Sequence, residues 1–282
     1  MCKSSVTARL AVAMTLAALG AAADDGLPYV RGGGGAIVVP VTLEGRGPYP
    51  FLLDTGTALT RIEPSLAREL ALREGGAAEV VTMAGRRVVS RSRLGRLVFG
   101  PHVLDGVAVL TGAALPLPDV GVPIRGVLGQ SALAGISYGV DYQRQRVVFT
   151  PPSGRGLARV PLAWREGRPA AVVRDGDARP LALVLDSGLD QPVLFEKPGR
   201  RVPYPDVRGL RYAASTSAGR ADLRAVAVPG LALGSLRLMG LTAAVVEDAA
   251  AGGREEDGLL PARLFAAVYF DRQAGEIVLA AR

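Results

Sequence analysis

Short apolar runs, separated by glycine and proline, recur along most of the chain. AIVVPVTLEG (36–45) alternates apolar and polar positions, which is typical of a half-buried strand. EGRG (44–47) is a turn signal, and YPFLLD (49–54) is a second strand, apolar up to its final aspartate. VVTMAGRRVVS (80–90) is typical of a hairpin with Ala84-Gly85 at its tip. The pattern predicts a mostly β protein built from many short strands.

One segment of the first half has a helical pattern. EPSLARELAL (63–72) places Pro64 in a first turn and predicts a short helix. The corresponding stretch of the second half, EKPGRRVPYPDVRG (196–209), contains too much proline for a helix. ISYGVDYQRQRVVF (136–149) predicts a terminal hairpin.

The pattern repeats once along the chain. FLLDTGT (51–57) aligns with LVLDSGL (183–189), which places Asp54 and Asp186 132 residues apart. GVLG (126–129) and GLLP (258–261) follow in the same order and at the same separation. A registered repeat of this kind indicates two similar structural units. We therefore expect two lobes, at 27–152 and 157–282, joined by the Pro/Gly-rich linker TPPSGRG at 150–156.

The first 23 residues have the pattern of a signal peptide. Lys3 and Arg9 precede a short apolar core, and small residues at Ala21–Ala23 fit a cleavage site. We therefore expect an exported protein, periplasmic or secreted, without stable membrane insertion after cleavage. Cleavage would also remove Cys2, the one cysteine of the sequence.

The composition argues against a nucleic-acid-binding function and against a metal site. The formal net charge is +7, but the arginines are scattered and not interleaved with aromatic residues, so we expect a solvated basic surface and no nucleic-acid partner. One histidine, His102, and no cysteine in the mature chain argue against a metal site. We expect no metal and no cofactor.

The repeated aspartates suggest a chemistry. A carboxylate at the end of a buried strand is costly unless other groups satisfy it. If the lobes pack about a pseudo-twofold axis, Asp54 and Asp186 meet. Two adjacent carboxyls do not both ionise easily and share a proton, so that one is a base and the other an acid. Such a pair can activate water for attack on a peptide carbonyl.

With FLLDTGT, LVLDSGL and GVLG, the chain resembles the bacterial retropepsin-like aspartyl proteases of the aspartic protease clan. The resemblance implies two acid-protease-like β-barrel lobes in a pepsin-like arrangement, a monomer that imitates a dimer, and an exported aspartic endopeptidase acting on peptides or proteins at acidic to mildly acidic pH. It implies a catalytic dyad of Asp54 and Asp186. The implied active-site loops contain Thr55, Gly56, Thr57, Ser187 and Gly188. The implied substrate-covering flap contains Met83, Ala84 and Gly85.

The second unit departs from the pattern at two positions. Leu189 stands where Thr57 keeps a hydroxyl, and Pro261 stands where Gly129 closes the first unit's segment. Two alternatives therefore stay open. One is a non-catalytic binding or regulatory protein of the same fold. The other is an enzyme that pairs the first lobes of two chains in a homodimer.

Other candidate motifs have simpler interpretations. GISYG (135–139) matches a serine-hydrolase elbow, but His102 precedes Ser137, the reverse of the hydrolase order, so we expect a strand residue. RGGGGA (31–36) lacks the ending of a phosphate loop and is interpreted as a flexible entry. Asp190 and the acids of residues 255–257 are expected to be solvated.

Overall fold

The computed structural model describes residues 26–82, 85–112, 121–175, 180–216, 219–247 and 254–282. The expected signal peptide, residues 1–23, lies outside these ranges. Within these ranges, no helix has the length and apolar character needed to cross a membrane.

Short strands dominate the described chain. Those of the first half are β1 (Leu27–Pro28), β2 (Val30–Arg31), β3 (Ile37–Leu43), β4 (Arg46–Leu53), β5 (Thr60–Ile62), β6 (Ala77–Thr82), β7 (Gly85–Phe99), β8 (His102–Leu110), β9 (Gly126–Leu128), β10 (Tyr138–Asp141) and β11 (Arg146–Val148). Those of the second half are β12 (Leu157–Pro161), β13 (Ala163–Arg165), β14 (Arg168–Val173), β15 (Leu181–Asp186), β16 (Val193–Glu196), β17 (Asp206–Thr216), β18 (Gly219–Leu233), β19 (Leu236–Glu247), β20 (Gly258–Pro261), β21 (Ala267–Asp271) and β22 (Glu276–Ala280). The helical segments are α1 (Pro64–Glu69), α2 (Gln130–Leu133) and the 3-10 turns Gly33–Gly35 and Ala262–Leu264.

The two halves build sheets of the same topology. The first eight-stranded sheet has the order β2-β3-β4-β9-β5-β8-β7-β6, and the second has β13-β14-β15-β20-β16-β19-β18-β17. Each strand of one sheet has its counterpart at the same place in the other, and β4–β9 and β15–β20 are both parallel pairs. We call these sheets, with their connections, lobe one and lobe two.

Each lobe closes on itself. In lobe one β3 also pairs with β7, through Thr42 and Val98, which completes a six-stranded barrel. In lobe two a bridge between Arg174 and Ala232 joins the equivalent strands. Closure leaves fewer open edges for pairing with other chains. The predicted fold class, a mostly β protein of two β-barrel lobes, is confirmed.

A third, six-stranded sheet joins the lobes. Its order is β1-β11-β10-β21-β22-β12, with three strands from each half and the β10–β21 pair at its centre. The predicted terminal hairpin of the first half is therefore present as β10 and β11. Because this sheet mixes strands from both halves, the lobe boundaries at 152 and 157 stay a prediction.

The predicted helix of the first half is α1. Glu63 caps it by accepting hydrogen bonds from the backbone N–H groups of Ser65 and Leu66, at 3.0 and 3.2 Å, and Pro64 occupies the first turn. Leu66 is fully buried, so the helix packs on the core. Residues 197–205 of lobe two form a bridged turn and an irregular segment in its place, as their prolines predict.

Candidate active site

Strand alternation places Asp54 and Asp186 on the face of their strands that is opposite the main core. Along β15, Leu183 and Leu185 face the main core, whereas Val184 packs in a separate apolar cluster on the opposite face. Asp186 follows two residues after Val184 and therefore shares its face. Leu53 of β4 likewise faces the core and leaves Asp54 on the other side.

The turns that follow the two aspartates are bonded to each other. The Thr55 hydroxyl donates to the carbonyl of Leu185 at 2.6 Å, and the Ser187 hydroxyl donates to the carbonyl of Leu53 at 2.9 Å. Each hydroxyl also accepts the other residue's backbone N–H at 3.0 Å. Thr55 and Ser187 are 0 % and 4 % exposed, so the four bonds are shielded from water. The bonds hold the two turns, and the carboxyls between them, in a fixed relation.

The two carboxyl groups are neighbours, since a Cβ added to Gly188 would lie 3.2 Å from Oδ1 of Asp186 and 3.4 Å from Oδ2 of Asp54. Asp54 also accepts hydrogen bonds from the Gly56 N–H at 2.9 Å and from the Thr57 hydroxyl at 2.8 Å. Asp186 accepts one from the Gly188 N–H at 2.7 Å. The carboxylate of Asp54 is thus stabilised by more neutral donors than that of Asp186.

This difference separates the acidities of the two groups. Burial raises the pKa of Asp54, while the hydrogen bonds from Thr57, Gly56 and Asp186 oppose the rise. Burial and then the negative charge of Asp54 raise the pKa of Asp186 well above its ordinary value. The higher pKa of Asp186 therefore favours this residue as the carrier of a single shared proton, beside an ionised Asp54.

Glycine at position 56 allows the lobes to approach this closely. A Cβ added to Gly56 would overlap the Asp186 carboxyl group. At Gly188 an added Cβ would lie 3.2 Å from Oδ1 of Asp186 and 3.4 Å from Cγ of Asp54. The glycine of each Asp-Thr/Ser-Gly triplet therefore faces the carboxyl pair, and the first is the more tightly enclosed.

The departures of lobe two have local structural consequences. Leu189 packs against the apolar cluster of lobe two that contains Val184, so its side chain contributes packing where Thr57 contributes a donor. Pro261 ends β20 beside Asp186 and begins the 3-10 turn that follows. The strand order of lobe two is kept despite both changes.

The proposed flap falls partly outside the described chain. Met83 and Ala84 lie outside the described residues, whereas Gly85 begins β7 and pairs with Thr82 across the hairpin. The hairpin itself is therefore present. Its function as a flap stays a prediction.

Sequence reasoning missed one buried residue behind the first turn. Gln130 is 2 % exposed and donates to the carbonyl of Thr55 at 2.9 Å and to the hydroxyl of Tyr138 at 3.0 Å. It ties the turn of lobe one to the shared sheet. Its counterpart 132 residues later is Ala262, so the repeat pattern gave no signal for it.

The expectation of solvated acids at 255–257 is wrong for two of the three. Glu255 is exposed, but Glu256 is 0 % exposed and pairs with Arg168 at 2.9 Å. Asp257 pairs with Arg200 and, at 3.4 Å, with Lys197. An acidic run in a polar-looking loop gave no indication of these partners, which are distant in sequence.

The remaining candidates lie outside the carboxyl pair. The Ser137 hydroxyl, just before β10, accepts the backbone N–H of Arg272 at 3.0 Å. His102 begins β8 and packs against Phe149. Asp190 is exposed and pairs with Arg263.

The glycine-rich segment is part of the contact between the lobes. Residues 33–35 form a 3-10 turn, and Arg263 of lobe two donates to the carbonyl of Gly34 at 3.1 Å. The segment expected to be a flexible entry is thus attached to lobe two. Among the residues that the structure describes, there is no cluster of three or more potential metal ligands.

Part of the first half matches the model of a known protein family. Residues 39–132 match a family model described as aspartyl protease, and this segment contains Asp54 with its turn and strands β4 to β9. No curated protein matches the chain. Residues 39–132, which form most of lobe one, are therefore identified as a domain of the retropepsin-like aspartyl protease family, which supports protease activity.

Proposed function

We propose that the protein is an exported aspartic endopeptidase whose catalytic groups are Asp54 and Asp186. The observation that supports this most strongly is the adjacent carboxyl pair with unequal donors. An ionised Asp54 beside a protonated Asp186 is the arrangement that general base and general acid catalysis at one site requires.

The proposed reaction begins with a water molecule between the two carboxyls. Asp54 takes a proton from this water while its oxygen attacks the peptide carbonyl carbon. Asp186 gives its proton to the carbonyl oxygen, and a tetrahedral diol results. Asp54 then protonates the amide nitrogen, Asp186 takes a proton from one diol hydroxyl, and the C–N bond breaks. The products are an acid and an amine, and the pair returns to its initial protonation state.

The pH range follows from the same pair. Activity requires one proton on the dyad, so it declines when both groups are protonated and when both are ionised. Because burial and the neighbouring charge raise the pKa of Asp186, the alkaline limit lies above the ordinary range of a carboxyl group. We expect an acidic to mildly acidic optimum.

Export is proposed from the N-terminal pattern alone. Residues 1–23 would be removed, and the mature chain would begin at Asp24. N-terminal sequencing of the protein recovered outside the cytoplasm tests this. An N-terminus at Met1 would contradict it.

The function is tested with the full chain and its Asp54→Asn and Asp186→Asn variants. Cleavage of an unstructured protein substrate is followed from pH 3 to 8, with and without pepstatin. We expect each variant to lose activity by roughly 10²–10⁴-fold or more while its far-UV spectrum is unchanged. The control is Asp105→Asn, an exposed aspartate on β8, which should keep full activity.

Two outcomes would replace the proposal. Folded protein without cleavage at any pH would favour the non-catalytic binding protein, for which Leu189 and Pro261 are the motivation. Specific activity that rises with protein concentration, together with a dimer in sedimentation, would favour pairing of first lobes from two chains.

A further inference from the structure

Lobe two contains a buried cluster of charged side chains on its aspartate-bearing face. Arg168, Arg254 and Glu256 are 8 %, 7 % and 0 % exposed. Nη2 of Arg168 lies 2.9 Å from Oε1 of Glu256 and 2.8 Å from Oε2 of Glu166. Nη1 of Arg254 lies 3.6 Å from the same Glu256 oxygen, and its guanidinium lies 4.4 Å from the ring centre of Phe195.

Lobe one is apolar at the same place. The residues 132 positions before Arg168, Arg254 and Glu256 are Ala36, Val122 and Ile124 respectively. All three belong to one small apolar cluster, which they form with Val38 and Leu52. The same position of the fold is therefore occupied by apolar side chains in lobe one and by charged side chains in lobe two.

Stability does not explain the ionic solution. Moving charged groups out of water costs several kcal/mol per ion, and replacing a buried ion cluster by well-packed apolar side chains is often neutral or stabilising. Lobe one demonstrates that apolar side chains fit this fold. The charges of lobe two therefore call for an explanation in terms of function.

The position of Arg168 supplies a functional explanation for the buried charges. β14 and β15 are antiparallel, with Ala170 opposite Val184. Continuing this register by two residues brings Arg168 opposite Asp186, and strand alternation puts both on the same face. Burial and the charge of Asp54 raise the pKa of Asp186, whereas the Gly188 amide and the charge of Arg168 act against that rise.

Other titratable groups near the pair come from the shared sheet. Tyr138 lies near Asp54, and Tyr142 lies near Asp186 and Arg263. Burial raises the pKa of both hydroxyls far above neutrality, so both stay uncharged where the dyad titrates. Among the described residues, Asp54 and Arg168 are thus the charged side chains with the largest effects on the pKa of Asp186.

We propose that Arg168, held in place by Glu256 and Glu166, is a positioning residue that supplies lobe two's carboxyl with the stabilisation that Leu189 does not give. In lobe one the Thr57 hydroxyl stabilises the ionised Asp54 at contact distance. In lobe two a buried positive charge does so through space. The consequence for catalysis rests on the proposed function, but the electrostatic effect on Asp186 does not.

The test transfers the residues of lobe one into lobe two. Arg168→Ala, Arg254→Val and Glu256→Ile are combined, so that the cluster is removed without leaving a buried charge alone. Because the cation is lost, ionised Asp186 is less stable, and the alkaline limit of kcat/KM should move upward by about 0.5–1 pH unit. The acid limit, set by Asp54, should change less.

Two further variants separate charge from structure. Arg168→Lys keeps the positive charge and should keep the alkaline limit near that of the wild type. Arg159→Met removes an exposed arginine of the shared sheet, paired with Glu276, and should leave both limits unchanged. If the triple variant does not fold, Arg168→Met, Arg254→Met and Glu256→Gln combined remove the same three charges with side chains of similar size.

A second readout does not depend on activity. The carboxyl carbons of ¹³C-labelled aspartate are titrated by NMR in the full chain, with the Asp186 signal assigned by its loss in Asp186→Asn. We expect Asp186 to titrate at higher pH in the neutralised variant. A shift in a protein without protease activity would support the inference and contradict the proposed function. An unchanged Asp186 titration in an active enzyme would overturn the inference alone.

Discussion

Thr55 and Ser187 form a reciprocal pair across the boundary between the lobes. Each hydroxyl donates to a carbonyl of the opposite strand and accepts the opposite N–H, at distances from 2.6 to 3.0 Å. The two residues thus satisfy buried backbone groups of each lobe with side chains of the other. The carboxyl pair is held by atoms that take no part in the proposed reaction.

Removing one of these hydroxyls should therefore be costly. Thr55→Val keeps the shape of the side chain but leaves the Leu185 carbonyl and the Ser187 N–H buried without partners. We expect a loss of about 2–4 kcal/mol in the free energy of unfolding, since each such group costs about 1–3 kcal/mol. Urea unfolding measures it, and Ser65→Ala on the exposed face of α1 is the control. A loss equal to that of the control would show that the cross-link contributes little.

The unequal donors at the two carboxyls predict opposite effects on the pH profile. Thr57→Val removes a hydrogen bond to the ionised Asp54, so the pKa of Asp54 should rise and the acid limit should move to higher pH. Leu189→Thr would add a hydroxyl beside Asp186, so the alkaline limit should move to lower pH. The measurement is kcat/KM against pH for both variants. Shifts of the same sign would contradict the assignment of the proton to Asp186.

The loss of activity caused by a Gly→Ala substitution should be larger the closer the added methyl group lies to the carboxyl pair. Gly56→Ala places a methyl group inside the Asp186 carboxyl and should abolish activity. Gly188→Ala requires a shift of a few tenths of an ångström and should reduce activity less. Gly135→Ala, at a site with open space around the added methyl, should have no effect. Activity and thermal unfolding are compared for the three. Full activity in Gly56→Ala would show that the lobes can separate enough to accommodate the methyl group.

Local patterns predicted the parts of this fold that depend on neighbouring residues. The apolar run into Asp54, the proline at the start of α1 and the 132-residue repeat each specify a structure within a few residues of themselves. The sequence did not show which side chains pair with residues far away along the chain. Arg168 and Glu256 are 88 residues apart, and the sequence predicted a solvated arginine surface and a solvated acid at these positions. Pairing of this kind depends on how the barrel brings its strands together, which periodicity does not encode.

The buried carboxyl pair also predicts how stability varies with pH. Burial and the charge of Asp54 raise the pKa of Asp186 in the folded protein above that of the unfolded chain. The protonated form is thus favoured by folding, so the contribution of Asp186 is fully present below its unfolded pKa and is lost as pH rises through its folded pKa. Glu63 and Asp257 act in the opposite sense. Although burial raises the pKa of each, hydrogen bonds lower it overall, so their contributions are lost as pH falls.

A comparison of the wild type with Asp186→Asn separates the stability contribution of Asp186 from those of Glu63 and Asp257. The difference in unfolding free energy between the wild type and this variant should decrease as pH rises from 4 to 7. Its slope can reach about 1.4 kcal/mol per pH unit, the value for one proton. Asp105→Asn, at an exposed position of β8, is the matched control. Urea unfolding at several pH values measures both. A difference for Asp186→Asn that is flat or increases with pH would show that the folded protein does not favour protonated Asp186, and both the proposed acid and the pH range would have to be reassigned.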